Sequence, residues 1–329
     1  MGQKLIKIVG VSLAIAVLAQ GLARADEPKD SAVTAALKSL KFSGYAQILG
    51  TVWDNDIDTF NLRRVRLGLS GELVKNLKFR LAVDLVKSPV LLDALVEFEP
   101  SKAAGLRFGQ FFVPFSLESL TPTYDLDLIN RSAVVDTLSP GRDNGSSGRD
   151  IGTVFYGSAS VLEYTVGLFN GSGSNKTDNN SHKDWSGRVV LRPAKFLALG
   201  GSIYRGRLTP SADAPTVRRD RDGLDAVLTI KVFSLKGEYL HAVDDTISKA
   251  GWYVQAGVFA LPGKLQGVVR YDFLDLDRAV AGDAKNVIAF GVNWIIKGRN
   301  KLQVNYEIHR LEGGAADKAG LLAQFQAGF

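Results

Sequence analysis

Between Lys41 and Phe329 the chain returns repeatedly to one pattern, an apolar residue at every second position over about ten residues, broken off by turn residues. Lys301 to His309 is the plainest case. Leu302, Val304, Tyr306 and Ile308 share one parity, and Gln303, Asn305, Glu307 and His309 the other. The same division recurs in Phe79 to Leu85, Leu92 to Phe98, Leu162 to Phe169, Leu224 to Lys231, Trp252 to Ala260 and Leu265 to Phe273, and sixteen such segments can be counted. A period of two belongs to strands with one oily and one wet face. No stretch beyond the N-terminus approaches the roughly 20 uninterrupted apolar residues of a spanning helix. If this chain crosses a bilayer, it does so as a closed barrel, the only strand arrangement without open edges.

Alternation does not say which face is wet, because a soluble sandwich turns its apolar face inward and a membrane barrel turns it outward. The connections separate the two. Long polar links at Asn170 to Lys183, Gly206 to Arg221, Asp244 to Ala250, Leu274 to Lys285 and Leu311 to Ala319 alternate with tight ones at Pro193 to Lys195, Leu261 to Lys264 and Lys297 to Asn300. Lys87 to Pro89 is a brief exception on the long side. An even strand count, with loops at one end and turns plus both termini at the other, is what a transmembrane antiparallel barrel requires. Trp53, Phe60, Trp185, Trp252, Phe273 and Trp294 lie near segment ends, where interfacial aromatic girdles are expected. A composition 46% hydrophobic and 22% charged fits a soluble protein equally well and decides nothing.

Residues 1–25 read as an export signal: Lys4 and Lys7, an apolar run from Ile8 to Ala19, and the small-residue site Ala23-Arg24-Ala25. Residues 26–40 leave room for a short periplasmic segment, and 41–329 form the barrel. One link differs from the rest. Phe111 to Arg149 carries Leu117, Leu120, Leu126, Leu128, Val134 and Val135, and a long loop with its own apolar side chains is expected to pack. Folded into the lumen, it would narrow the pore.

The chain has no cysteine, which excludes disulfide scaffolds, thiolate metal sites and cysteine nucleophiles. Three of the six surplus positive charges belong to Lys4, Lys7 and Arg24 of the signal, and the small remainder argues against a nucleic-acid partner. His182, His241 and His309 lie far apart, and neither a Gly-x-Ser-x-Gly elbow nor a metal-spaced histidine pair is present, so neither enzyme nor cofactor is expected. Asp54-Asn55-Asp56-Ile57-Asp58 opens like a calcium loop but has Thr59 at the glycine position and Val65 at the closing glutamate, which favours a solvated turn.

With the apolar parity turned to lipid, the other parity places Arg64, Arg66, Arg80, Arg107, Arg188, Arg192, Lys231, Lys236 and Arg270 in the lumen, joined by Arg131, Arg142 and Arg149 of the long link. Guanidinium groups in a low-dielectric tube concentrate anions. Asp84, Asp93, Glu97, Glu163, Asp225, Glu238, Asp272 and Glu307 share those faces, so any given arginine is either open to solute or half of a wall ion pair. Glu118, Asp125, Asp127 and Asp136 on the link would face the basic wall and set up a transverse field.

Phe60-Asn61-Leu62-Arg63-Arg64-Val65-Arg66-Leu67, then Leu106-Arg107-Phe108-Gly109-Gln110-Phe111-Phe112-Val113-Pro114-Phe115-Ser116-Leu117-Glu118, then Gly148-Arg149-Asp150-Ile151-Gly152 and the terminal Phe329 together resemble the phosphate-selective porin O and P family. The resemblance implies a homotrimer of sixteen-stranded barrels in the Gram-negative outer membrane, in contact with lipid and lipopolysaccharide and passing small anions. The best-known phosphate-selective members carry lysines on the constriction loop, whereas Phe111 to Arg149 has none and offers Arg131, Arg142 and Arg149 instead. The expected function is passive diffusion of small hydrophilic solutes with anions preferred, phosphate or polyphosphate among them. A non-selective porin, an adhesin and a barrel enzyme are the alternatives.

Overall fold

The computed structural model describes residues 34, 37–54, 56–209, 214–312 and 317–329. The export signal and most of the 26–40 segment lie outside the described residues. Sixteen strands follow one another: β1 Lys41–Trp53, β2 Thr59–Val74, β3 Leu77–Asp84, β4 Leu91–Ser101, β5 Ala104–Phe112, β6 Arg149–Ala159, β7 Leu162–Phe169 and β8 Asp184–Ala194. The second half comprises β9 Leu197–Leu208, β10 Val217–Ile230, β11 Phe233–Asp244, β12 Ile247–Leu261, β13 Leu265–Asp275, β14 Lys285–Lys297, β15 Asn300–Leu311 and β16 Lys318–Gly328. Each pairs antiparallel with its neighbours, and β1 pairs with β16 from Tyr45↔Gly328 to Trp53↔Gly320, closing the barrel. Phe329 completes the seam, its N–H donating to Gly44 O at 3.0 Å and its carbonyl accepting from Gly44 N at 3.2 Å.

The burial pattern is inverted relative to a soluble fold. Along β15, Lys301, Gln303, Asn305 and Glu307 are buried while Leu302, Val304 and Tyr306 are exposed. Apolar side chains cover the outer wall all round, as lipid contact requires. Phe60, Trp185, Trp252 and Phe273 stand toward the loop end of that wall, and Phe42, Phe196, Phe233, Trp294 and Phe329 toward the turn end. Trp53 departs from the expected girdle. It shares parity with Gln47 and Leu49, so it points inward, packs with Leu49, Ile129 and Leu322, and meets His309 edge-on at 5.1 Å.

The loop and turn ends are as the sequence implied, but two links are shorter: Gly206 to Arg221 is reduced to the residues between Leu208 and Val217, because Val217 to Arg221 pair with Tyr204 to Leu208. The link expected over Asp244 to Ala250 is only the two residues between β11 and β12, because Ile247 to Ala250, although not alternating, continue the ladder opposite His241 to Asp244. Asp245 takes the left-handed conformation (φ 55°) that so tight a reversal needs.

Residues 113–148 contain helix α1, Leu117–Leu120, a 3-10 turn, Thr123–Asp125, and helix α2, Ala133–Leu138. Ser116 and Ser132 cap the helices, accepting from Ser119 N at 3.1 Å and Val134 N at 3.2 Å. The largest apolar core of the protein lies between this segment and the inner wall: Val113, Phe115, Val134, Val135 and Leu138 against Phe169, Tyr204, Leu240, Ala242, Tyr253 and Leu274. Glycines make the seat. A Cβ on Gly251 would stand 3.0 Å from both Val134 methyl groups, and one on Gly291 would stand 2.6 Å from Leu128 Cδ2.

Gly291→Leu is therefore expected to push the Leu128 stretch of the segment off the wall at a cost of roughly 1–3 kcal/mol, while leaving strand pairing intact, because the atoms it meets belong to the side chains of Leu128 and Asn305. Limited proteolysis should then cut within residues 113–148 of the folded barrel, which the parent protein resists.

Candidate functional site

The second strand carries the site, and a β-bulge arms it. Gln47 of β1 pairs with Arg64 and Ile48 pairs with Leu62, so Arg63 is an extra residue opposite the partner strand. The bulge reverses parity. Phe60, 88% exposed, and Leu62, 58% exposed, face outward, while Arg64 and Arg66, which the alternation would put on their side, face inward. Arg63 turns inward too, donating to Asn130 Oδ1 at 2.6 Å. Three guanidiniums thus enter the interior within four residues of chain.

Arg66 Nε donates to Asp84 at 2.9 Å and its Nη1 to Thr123 Oγ at 3.0 Å, and Thr123 is also hydrogen-bonded to Tyr45. Arg64 donates to Gln47 Oε1 at 2.8 Å, and its Nε is buried without a partner. Arg149, at the start of β6, binds Asp93 at 2.6 Å and lies 3.8 Å above the Phe112 ring. Arg142 donates to Ser119 Oγ and Ser119 O, both at 2.8 Å, and Arg131 donates to the carbonyls of Glu118 and Thr121. Among the described residues, Arg63, Arg64 and Arg131 have no carboxylate within ion-pair distance.

Two cavities meet at these residues. The larger, about 790 Å³, reaches the turn end past Lys38, Lys78 and Arg299; the smaller, about 210 Å³, reaches the loop end past Lys87, Gly145 and Ser147. Arg66, Phe112, Thr123 and Arg149 line both. The smaller cavity is lined by Arg63, Arg64, Arg66, Lys87, Arg131, Arg142 and Arg149, against Asp136 as its single acid. Burial, with Arg131 alongside, pushes the Arg142 guanidinium down to about 9. A guanidinium still keeps its proton at neutral pH, so the shift registers a cation held out of water, with a like charge beside it as the lesser cause. Burial, reinforced by Arg64 and Arg66, also holds the Lys87 ammonium below the usual lysine range.

The other sequence-derived candidates divide. Arg80 and Arg107 line the larger cavity, paired with Asp93 at 3.2 Å and with Glu97. Arg188 is buried in a two-pronged pair with Asp225 at 2.6 and 2.9 Å, and Arg270 lies beneath the long segment, donating to the carbonyls of Asn130 and Arg131 at 3.0 Å and paired with Asp272 at 3.1 Å. Neither lines either cavity. Both are held in buried wall ion pairs, and breaking such a pair costs about 3–5 kcal/mol. Arg192 is likewise paired, with Glu163 at 2.6 Å. Lys231 is a correction: the strand ends at Ile230, and Lys231 sits exposed in the turn with φ 53°, away from the interior.

The acids of the long segment also differ from expectation. Glu118 is buried, accepting from Ser132 N at 2.8 Å and 3.6 Å from Arg270; Asp127 accepts from Lys236 at 2.9 Å and Gln255 at 2.7 Å. Glu238 of β11 accepts the N–H groups of Leu117 and Glu118 at 2.8 and 2.7 Å. Glu118 and Asp127 therefore clamp the segment to the far wall instead of facing the arginines of β2 to β5, and Asp125 is exposed. No loop acid is paired with those arginines among the described residues; Asp136 pairs instead with Arg142 of the same segment, at 3.4 Å. Alternation alone missed Arg63, because a bulge depends on register with β1, and Lys87, because it lies in a link. No group of three or more histidine, aspartate or glutamate side chains is placed to hold a metal among the described residues.

None of the curated protein sequences matches this chain. Solved structures do match in fold: outer-membrane OmpT of Vibrio cholerae at 12% identity and TM-score 0.60, over 88% of this chain and 97% of that one. A mutant porin of Rh. blastica matches at 13% identity and TM-score 0.60, over 88% of this chain and all of that one, and a porin refined at 1.8 Å at 14% and 0.57 with the same coverage. At such identities the likeness is one of fold. Residues 43–221, more than half the chain, match the family described as phosphate-selective porin O and P. A closed barrel of sixteen strands, oily outside and polar within, together with that match, means that the chain belongs to the phosphate-selective porin O and P family and is a channel protein of the bacterial outer membrane.

Proposed function

We propose that the barrel passes small hydrophilic solutes by passive diffusion with a preference for anions, and that residues 111–149 form its constriction. The observation that carries this reading is the charge of the smaller cavity, seven basic side chains to one acid, at the point where the two cavities meet. In a narrow low-dielectric passage such an imbalance raises the local anion concentration, and arginines spread along it offer successive weak sites from which an ion can leave. Phosphate and polyphosphate belong to the class that guanidinium forks suit. A non-selective porin would need more acids among these arginines than Asp136, and those of the adjoining wall, Asp84 and Asp93, are already bound to Arg66, Arg80 and Arg149. The outer apolar belt would meet lipid and, at the loop end, lipopolysaccharide. A homotrimer is favoured by the related fold of Vibrio cholerae OmpT, which has a trimer form.

Planar-bilayer recording in a salt gradient tests the reading: the reversal potential should lie on the anion side, and a cation-side value would overturn it. Arg63→Gln with Arg64→Gln, which removes two guanidiniums that have no carboxylate partner, should lower the anion-to-cation permeability ratio severalfold without unfolding the barrel. Lys231→Gln, in the turn, should leave the ratio unchanged.

A second expectation follows from Lys87. Its ammonium is charged below its lowered pKa and neutral above it, so anion preference should weaken as pH rises from neutral toward the ordinary lysine range. Lys87→Met should show the weakened preference at neutral pH and a flatter response to alkali.

A further inference from the structure

The larger cavity is not lined as a passage for inorganic ions alone would be. On one side the wall of β2 to β5 contributes Arg66, Arg80 and Arg107. On the other side the long segment presents Leu120, Pro122 and Tyr124, half-buried and uncharged, with Phe112 beside them and Leu95 among the wall arginines. The acids that would have balanced the arginines from the segment are spent elsewhere, Glu118 near Arg270 and Asp127 on Lys236. The wall flank also carries Asp93 and Glu97, paired with Arg80 and Arg107, and Glu72, so a solute in this space meets guanidiniums partly balanced by acids on one flank and apolar surface on the other.

The rings and guanidiniums are already matched face to face. Arg149 lies 3.8 Å from the Phe112 centroid and Arg299 lies 4.0 Å from that of Tyr124, distances at which a flat cation covers a flat ring. Arg80 is bonded to Asp93 through Nε at 3.2 Å, with more than half of its side chain exposed, so its outer nitrogens remain open to a solute. We infer that this cavity selects organic anions with a flat apolar body, aromatic carboxylates, over inorganic oxyanions. The inference rests on the anion preference proposed above and adds the solute class.

The physical ground is additive. The carboxylate takes the guanidinium fork as any oxyanion does. The ring then removes from water the apolar strip of Leu120 and Pro122 and the part of Tyr124 that Arg299 leaves open, a gain that phosphate and acetate do not have. An advantage of about tenfold in occupancy is expected from covering one ring face, weak enough for the solute to move on.

The test is chloride conductance of the purified protein in planar bilayers, with benzoate, cyclohexanecarboxylate, acetate or inorganic phosphate added to one side. Benzoate should block chloride current saturably, with a half-blocking concentration about tenfold below that of acetate or phosphate and cyclohexanecarboxylate between. Equal block by benzoate and acetate with an anion-side reversal potential overturns this inference and leaves the anion preference standing; a cation-side reversal potential overturns both. Tyr124→Ser should bring the benzoate block to the acetate level and Tyr124→Phe should retain it, and a parent-like block in the serine variant also overturns the inference. Should Tyr124→Ser shift the reversal potential, so that the segment has moved, Leu95→Ser on the barrel wall replaces it, with the same loss expected and a parent-like block again overturning the inference.

Discussion

Everything in this protein depends on the obligation of a backbone in hydrocarbon to satisfy its own hydrogen bonds. An unpaired N–H or C=O there costs several kcal/mol, so the sixteen strands must close, and the seam of β1 against β16 is the pairing that leaves no edge. Closure sorts the side chains. Every second residue is given to lipid, and what remains must fill or line an interior that, in so wide a barrel, side chains alone cannot fill. The polar pairs Gln303 with Gln324 and Gln47 with Gln326, each bonded side chain to side chain on the inner face of β15, β16 and β1, are the result where the wall lies against the long segment, to which Gln303 and Gln326 also donate.

That segment uses the interior as a soluble protein uses a core. Its apolar residues bury against wall positions kept small by Gly251 and Gly291, while Glu238, Arg270 and Lys236 take up its backbone and carboxylate groups. Directional polar anchors fix the position, and apolar packing adds adhesion. The charge asymmetry of the site follows from this division of labour. Acids used as anchors on β11 to β13 are no longer opposite the arginines of β2, so the arginines stand without counterparts across the gap.

Much of this was legible in the sequence because alternation and link length are local. Leu302 to Ile308 announce their faces without knowledge of any partner, and Asn170 to Lys183 announces a loop by composition. What stayed hidden needs tertiary information. Ile247 to Ala250 join the ladder because Asp244 and its predecessors are there to pair with, not because their own pattern alternates. Lys231 follows a run of correct parity and is excluded only by the reversal that begins with it. Arg188 and Arg270 have the right parity for the lumen, and only the path of a distant segment and the position of Asp225 decide that they are covered.

Arg63 adds a geometrical point to its charge. As the surplus residue of β2 it acts as a phase shifter: the strand on its N-terminal side offers Phe60 and Leu62 to lipid, and the strand on its other side offers Leu67 while presenting Arg64 and Arg66 to water. Exchanging its side chain alters one charge. Removing the position altogether would put the two halves of the strand out of step, so that either two aromatic and aliphatic groups enter the channel or two guanidiniums enter hydrocarbon. In this stretch length is constrained more tightly than identity, and evolution has more freedom to change the letter at 63 than to delete it.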